Sequence, residues 1–196
     1  MNIVARVRAI LVEPRDEWAR IKAEPGTPAG LFTSYAAVLA AVPAGFQFLG
    51  NILVGRRLPF VGLYRWPVGR ALGNAVVAYV LSLAAVYLFA LIIRELAPSF
   101  ASARDTTAAL KLAVYSMTPA WVAGVLYIVP GLWALGVLAS LYGLYILYLG
   151  LDAPMMGTPK DRVGSYLAVC VLVVIGLHVV INLFLKMIFA VRYGRL

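Results

Sequence analysis

Along residues 112–151 the hydrophobic pattern runs for forty positions without a charged side chain, interrupted near its middle by Pro130-Gly131. A bilayer's hydrocarbon core, about 30 Å thick, takes roughly 20 apolar residues of helix, so this run is long enough to cross twice. Proline fixes φ and lacks an N–H, and glycine tolerates a sharp reversal. The pair predicts helices over 112–129 and 132–151 joined by a tight hairpin. With both arms helical, their backbone groups stay satisfied in lipid. Three more uncharged stretches, 31–54, 71–93 and 163–185, each suit one crossing. The pattern therefore predicts an all-α integral membrane protein with five transmembrane helices and a tight helical hairpin between the third and fourth.

Ahead of the first span the pattern becomes periodic. Ile3, Val4, Val7, Ile10 and Leu11 share one helical face and Arg6 and Arg8 sit off it, which predicts an amphipathic segment lying in the membrane interface. A cleavable leader would show a continuous apolar core, whereas here charges follow at once in residues 13–17. Pro14 opens a second short helix, with Asp16 and Glu17 near its positive end and Arg20 and Lys22 near its close. Trp18 and Ile21 give that helix an apolar edge. Trp18 is expected to anchor it at the interface, with burial in the bundle as the alternative. The organisation is thus an interfacial segment over 1–28, a five-span membrane domain over 29–190 and a short tail over 191–196.

Within the spans, small residues mark close approach and isolated polar residues mark contacts. Ala36, Ala37, Ala40, Ala41, Ala44 and Gly45 make the first span thin, and Pro43 is placed to kink it. Gln47 and Asn51 share a face near its end. The connection over 55–70 carries Arg56, Arg57, Arg65 and Arg70 with Tyr64 and Trp66 and no acid, as expected of an interface belt at the headgroups. Gly69 and Gly73 suggest packing within the protein. Asp105 precedes a helix entry at Thr106-Thr107. On the fourth span, Gly136, Ser140 and Gly143 predict a thin face for another helix or a second protomer, with Ala139 turned to lipid. Tyr142, Tyr145 and Tyr148, with Tyr115 and Tyr127 opposite, suit the interface or interhelical hydrogen bonds, and alternatively a polar cavity. His178 and Asn182 form an i, i+4 polar pair on the fifth span.

Composition and charge narrow the chemistry. The chain is 63% hydrophobic and 13% charged, against about 25% charged in soluble domains. Its net charge of +9 resides in short segments flanking apolar runs, where anionic lipid headgroups lie, so nucleic acid is not an expected partner. The single cysteine, Cys170, excludes an intrachain disulfide and reads as a small packing or lipid-facing residue. All eight acids (Glu13, Asp16, Glu17, Glu24, Glu95, Asp105, Asp152, Asp161) fall outside the predicted spans, which leaves no intramembrane carboxylate pair. One histidine makes no multi-histidine metal site, and Ser82, Ser116 and Ser140 lack the acid and base of a hydrolytic arrangement. The expectation is a protein that is not an enzyme and has no cofactor. Lys and Arg number ten on the N-terminal side of five spans and seven on the other, which favours a cytoplasmic N-terminus and an external C-terminus.

Three passages carry a family resemblance. Residues 111–119 include Tyr115-Ser116 and Pro119, the hairpin holds Pro130-Gly131, and residues 141–151 include Tyr142-Gly143-Leu144-Tyr145, Tyr148 and Gly150. Together they resemble the membrane domain of the Yip family, the Rab-GTPase-interacting proteins and their prokaryotic relatives. Pro14, Trp18 and Ile21 resemble the short N-terminal segment of the prokaryotic branch. The resemblance implies five spans, a cytosolic N-terminus and, for eukaryotic members, vesicle trafficking. The latter carry a longer N-terminal region than the roughly thirty residues present here, which argues against a GTPase partner and for a prokaryotic-type member in a plasma membrane. Two functions stay open. One is a membrane scaffold or lipid-organising protein capable of self-association. The other is a transporter or channel for a small solute or ion, with a pathway along Asn51, Asn74, Tyr145, His178 and Asn182.

Overall fold

The computed structural model describes residues 2–58, 62–152 and 155–189; the tail with Arg192 and Arg195, and the side chain of Arg57, lie outside them. Two short helices, α1 (Ile3–Val12) and α2 (Pro14–Ala23), precede the bundle. Five helices long and apolar enough to cross a membrane follow: α3 (Pro28–Val54), α4 (Val68–Phe100), α5 (Thr106–Ile128), α6 (Pro130–Leu151) and α7 (Lys160–Phe189). The five-span helical architecture is the one the hydrophobic pattern predicts.

Local chemistry sets the boundaries. The Asn2 side chain accepts from Ala5 N–H at 3.2 Å to start α1, and Pro14 sits in the first turn of α2. The Asp105 carboxylate accepts from Thr107 N–H at 2.7 Å and Ala108 N–H at 3.0 Å, capping α5 where its entry was expected. The α4 helix overruns its uncharged core through Arg94 and Glu95, and Glu95 pairs with both Arg94 and Arg104 at the bundle end. Between α5 and α6 a single residue, Val129, separates the helices, and Leu132 N–H donates to its carbonyl at 2.9 Å.

Three departures from the sequence pattern have local causes. First, α5 is not one regular helix: it breaks at Met117, resumes at Thr118 and tightens to 3-10 geometry over Gly124–Ile128. Pro119 cannot donate back to residue 115, so the α ladder is interrupted there. Second, α3 carries π-helical turns at Phe32–Ala36 and Gly50–Val54, flanking the segment that holds Pro43. Third, the basic connection folds into an antiparallel hairpin of β1 (Arg56–Leu58) and β2 (Gly62–Tyr64), with Arg56 opposite Tyr64. Its glycine ends, Gly55 at φ 76° and Gly62 at φ 81°, take the left-handed conformation that side-chain-bearing residues disfavour.

The core is centred on α5, whose most apolar window is 61% buried against 6% for α7. Its first half packs Leu112, Ala113 and Val114 against α4 and α6, while α7 touches the bundle along one edge through Val163, Tyr166 and Cys170. Part of the connection to α7 is also interior. Met155, Met156 and Thr158 are buried, Thr158 Oγ1 lies 2.7 Å from Ser102 Oγ, and Ala103 N–H donates to Met156 O at 3.0 Å.

Candidate functional site

At the end of the bundle where α3 and α5 begin, charged and aromatic side chains form one buried assembly beneath α1 and α2. Arg6 enters from α1 and is 7% exposed. Its guanidinium pairs with Glu17 of α2 and with Glu24 just beyond it, and it lies 5.7 Å over the Tyr115 ring. Burial works against the Arg6 charge, but the hydrogen bond to Glu24 and the fields of Tyr115, Glu17 and Glu24 outweigh it, so the pKa is raised above the ordinary arginine value. Tyr115 stands edge-on to Trp18 at 6.1 Å and to Tyr35 at 4.9 Å. The Tyr35 hydroxyl meets Thr118 Oγ1 at 2.9 Å.

The helix pair is held at its C-terminal ends, where carbonyls lack intrahelical donors. Tyr142 of α6 donates its hydroxyl to Leu11 O at 2.8 Å, at the end of α1. Lys111 of α5 donates to Ile21 O at 2.6 Å and Glu24 O at 2.9 Å, placing a cation at the negative end of α2. Between these ends Trp18, fully buried, donates Nε1–H to Ile146 O at 3.0 Å. The indole lies where residue 150 has no side chain: a Cβ there would stand 2.8 Å from Trp18 Cε2 and would also collide with Leu112. Gly150 is therefore what lets α2 seat on α6. A cleft of about 540 Å³ opens beside the assembly, lined by Asn2, Arg6, Glu17, Arg20 and Glu24 among others.

This geometry corrects the interfacial reading of two residues. Arg6 does not face headgroups, because α1 packs on α2 in a way that brings two carboxylates to it. Trp18 is a packing residue, because the Gly150 notch admits its ring. Arg8 and Arg56 are exposed. Reading the chain alone missed Glu17, Glu24, Lys111, Tyr35 and Thr118. The one available signal was that Glu17 and Glu24 stand seven apart, on one side of a helix.

The thin face of α6 is partly as expected and partly displaced. A Cβ on Gly143 would stand 2.5 Å from Ser116 O, and one on Gly136 would collide with the Tyr127 hydroxyl. Ser140, however, is exposed and its hydroxyl turns back to Gly136 O at 2.9 Å, while Ala139 is half-buried. The inward phase of α6 therefore runs through Ala139 rather than Ser140. Since α5 fills the Gly136 and Gly143 notches, neither is open to a second protomer.

Of the other motif residues, Tyr115 and Pro119 are buried within α5 and Pro130-Gly131 form the turn. Tyr145 and Tyr148 are 43% and 40% exposed on the outer side of α6. The proposed polar pathway does not come together. Asn51 and Asn74 are buried, whereas His178 and Asn182 are exposed, with Asn182 Nδ2 donating to His178 O at 2.9 Å. At about 100° per residue, His178 and Asn182 lie roughly 80° and 120° around α7 from Cys170, off the edge that meets the bundle. Among the described residues no group of three His, Cys, Asp or Glu side chains is placed to hold a metal.

Five apolar helices and a short helical pair docked at one end define an integral membrane helical protein. The Yip1 domain matches residues 8–182, nearly the whole described chain, and the protein belongs to the Yip1-domain family. That family is non-enzymatic and is linked to membrane trafficking. No curated protein and no solved structure matches the chain.

Proposed function

We propose that this Yip1-domain protein is a membrane scaffold or lipid-organising protein rather than a conduit. The observation that carries the reading is how the bundle's buried and half-buried polar groups are used. Arg6, Trp18, Lys111 and Tyr142 each hold one helix against another, and the candidate pathway residues are split between the interior and the outer sides of α6 and α7. Transporters that couple to ions place ionisable groups near the membrane midplane, often at broken helices. The break in α5 at Met117 has no Asp, Glu, His, Lys or Arg in the chain around it. Here the charged cluster sits at one end and is satisfied by its own counterions. The proposal extends to the setting, a prokaryotic plasma membrane with a cytoplasmic N-terminus; the ten-to-seven distribution of Lys and Arg supports the orientation.

The test is a flux assay on the purified full chain in liposomes loaded with protons, sodium, potassium or small neutral solutes. Leakage equal to that of protein-free liposomes is the expected result. A reproducible, saturable flux that Asn51→Leu or Asn74→Leu abolishes would establish the transport reading in its place.

A further inference from the structure

The two ends of the bundle differ in charge in a way that the total conceals. All eight acids belong to segments at the end where the chain begins, and there Arg6, Arg20, Arg94 and Arg104 are paired with Glu17, Glu24 or Glu95. The described segments at the opposite end, 55–58, 62–70 and 186–189, hold five Lys and Arg (Arg56, Arg57, Arg65, Arg70 and Lys186) and no Asp or Glu. Among the described residues no ion pair involves Arg56, Arg65, Arg70 or Lys186.

These cations are carried on a built platform. Trp66 N–H donates to Asn51 O at 3.0 Å, tying the end of the β-hairpin to the end of α3. Arg70 lies 4.7 Å over the Trp66 ring and donates to Phe189 O at the end of α7. Gly73 receives the Phe189 ring, 3.3 Å from where a Cβ would be. The hairpin is thereby fastened to α3, α4 and α7, with Arg56, Arg65 and Lys186 exposed around it. Trp133, at the nearby α5–α6 turn, is 65% exposed, and Tyr64 and Trp66 are half-buried.

We infer that this acid-free end is a binding surface for anionic phospholipid headgroups of the leaflet it faces, with the β-hairpin as its centre. Fixed cations without internal counterions need anions from outside. Flanking aromatic residues at the ends of apolar spans put those cations at headgroup depth, which favours a lipid phosphate over an acidic polypeptide. The inference is independent of whether the bundle conducts a solute. It moves lipid-charge recognition away from Arg6, whose charge is spent inside the protein.

The experiment uses the full chain in a neutral detergent and follows its melting temperature during titration with phosphatidylglycerol or phosphatidylcholine. Phosphatidylglycerol is expected to stabilise the protein more, with an effect that weakens as salt rises. One cation near an anionic surface is worth roughly fivefold in affinity, so Arg56→Gln/Arg65→Gln should move the midpoint on the order of 25-fold. Arg56→Lys/Arg65→Lys should retain most of the binding, and Arg8→Gln/Arg15→Gln, exposed at the other end, should change it less than about twofold. Equal stabilisation by both lipids, an unshifted midpoint in the double glutamine variant or an equal loss in the Arg8/Arg15 variant would overturn the inference. Equal protection by inorganic phosphate or by a polyglutamate peptide would overturn it too, by showing that no lipid is required. Should the glutamine variant fail to fold, salt-insensitive phosphatidylglycerol binding by the lysine variant would refute the inference.

Discussion

Gly143→Ala sets helix propensity against tertiary packing and asks which prevails. Alanine in a helix interior is favoured over glycine by about 1 kcal/mol, so considered alone α6 gains. The new Cβ, however, would stand 2.5 Å from Ser116 O, well inside ordinary carbon–oxygen contact. The obstacle is backbone, which has no rotamer to escape into, and it belongs to the most buried span. The helices must separate by several tenths of an ångström, at an overpacking cost near the upper end of about 1–3 kcal/mol. The net expectation is a loss of about 2 kcal/mol, or roughly 4–8 °C at about 2–4 °C per kcal/mol for a chain of this size. Gly176→Ala is the matched comparison: it lies in α7 with nothing within 4 Å of the added carbon, so it should gain about 1 kcal/mol. Circular dichroism melts in one detergent, with monomer confirmed by size exclusion, would measure both. If Gly143→Ala melted at or above the unmodified protein, the α5–α6 contact would not be set by close backbone approach and the reasoning would fail.

Trp18→Phe should preserve most of the ring contact but lose the Nε1–H donor to Ile146 O, at about 1 kcal/mol, whereas Trp18→Ala should cost about 3–5 kcal/mol; equal melting of the two would show that the ring does not fill the Gly150 notch. Arg6→Met leaves the buried Glu17 only the exposed Arg20, 3.3 Å away, as its cation and is expected to cost up to about 3 kcal/mol, with Arg6→Met/Glu17→Leu recovering part of that loss. Additive losses in this cycle, measured by the same melts, would contradict a coupled pair. For topology, single cysteines at Ser102 and at Gly131 in a Cys170→Ala background should react with an impermeant reagent from opposite sides of the membrane. Reaction of both from one side would contradict the α5–α6 hairpin.

What was legible in the chain follows from the solvent. Lipid requires long uncharged helices, so five spans and the Pro130-Gly131 reversal could be counted from residue type alone. The Asp105 cap and the Pro14 start were readable because capping depends on neighbours a few residues away. The small residues Gly136 and Gly143 signalled a close approach, though not its phase, and Ser140 was grouped with them on spacing while the packed side runs through Ala139. Contacts between distant segments were not legible. Arg6 on an amphipathic helix reads as a headgroup contact until Glu17 and Glu24 are seen to meet it, and Trp18 reads as an interface anchor until Gly150 opens a place for it 132 positions later in the chain. His178 and Asn182 form a polar pair in sequence, but only the docking of α7 along the Cys170 edge turns them outward. Local periodicity and capping determined which segments are helical and how many cross the membrane. Tertiary packing decided which charges are neutralised inside the protein and which are left for the membrane, because charge pairing depends on distances between residues that the order along the chain does not contain.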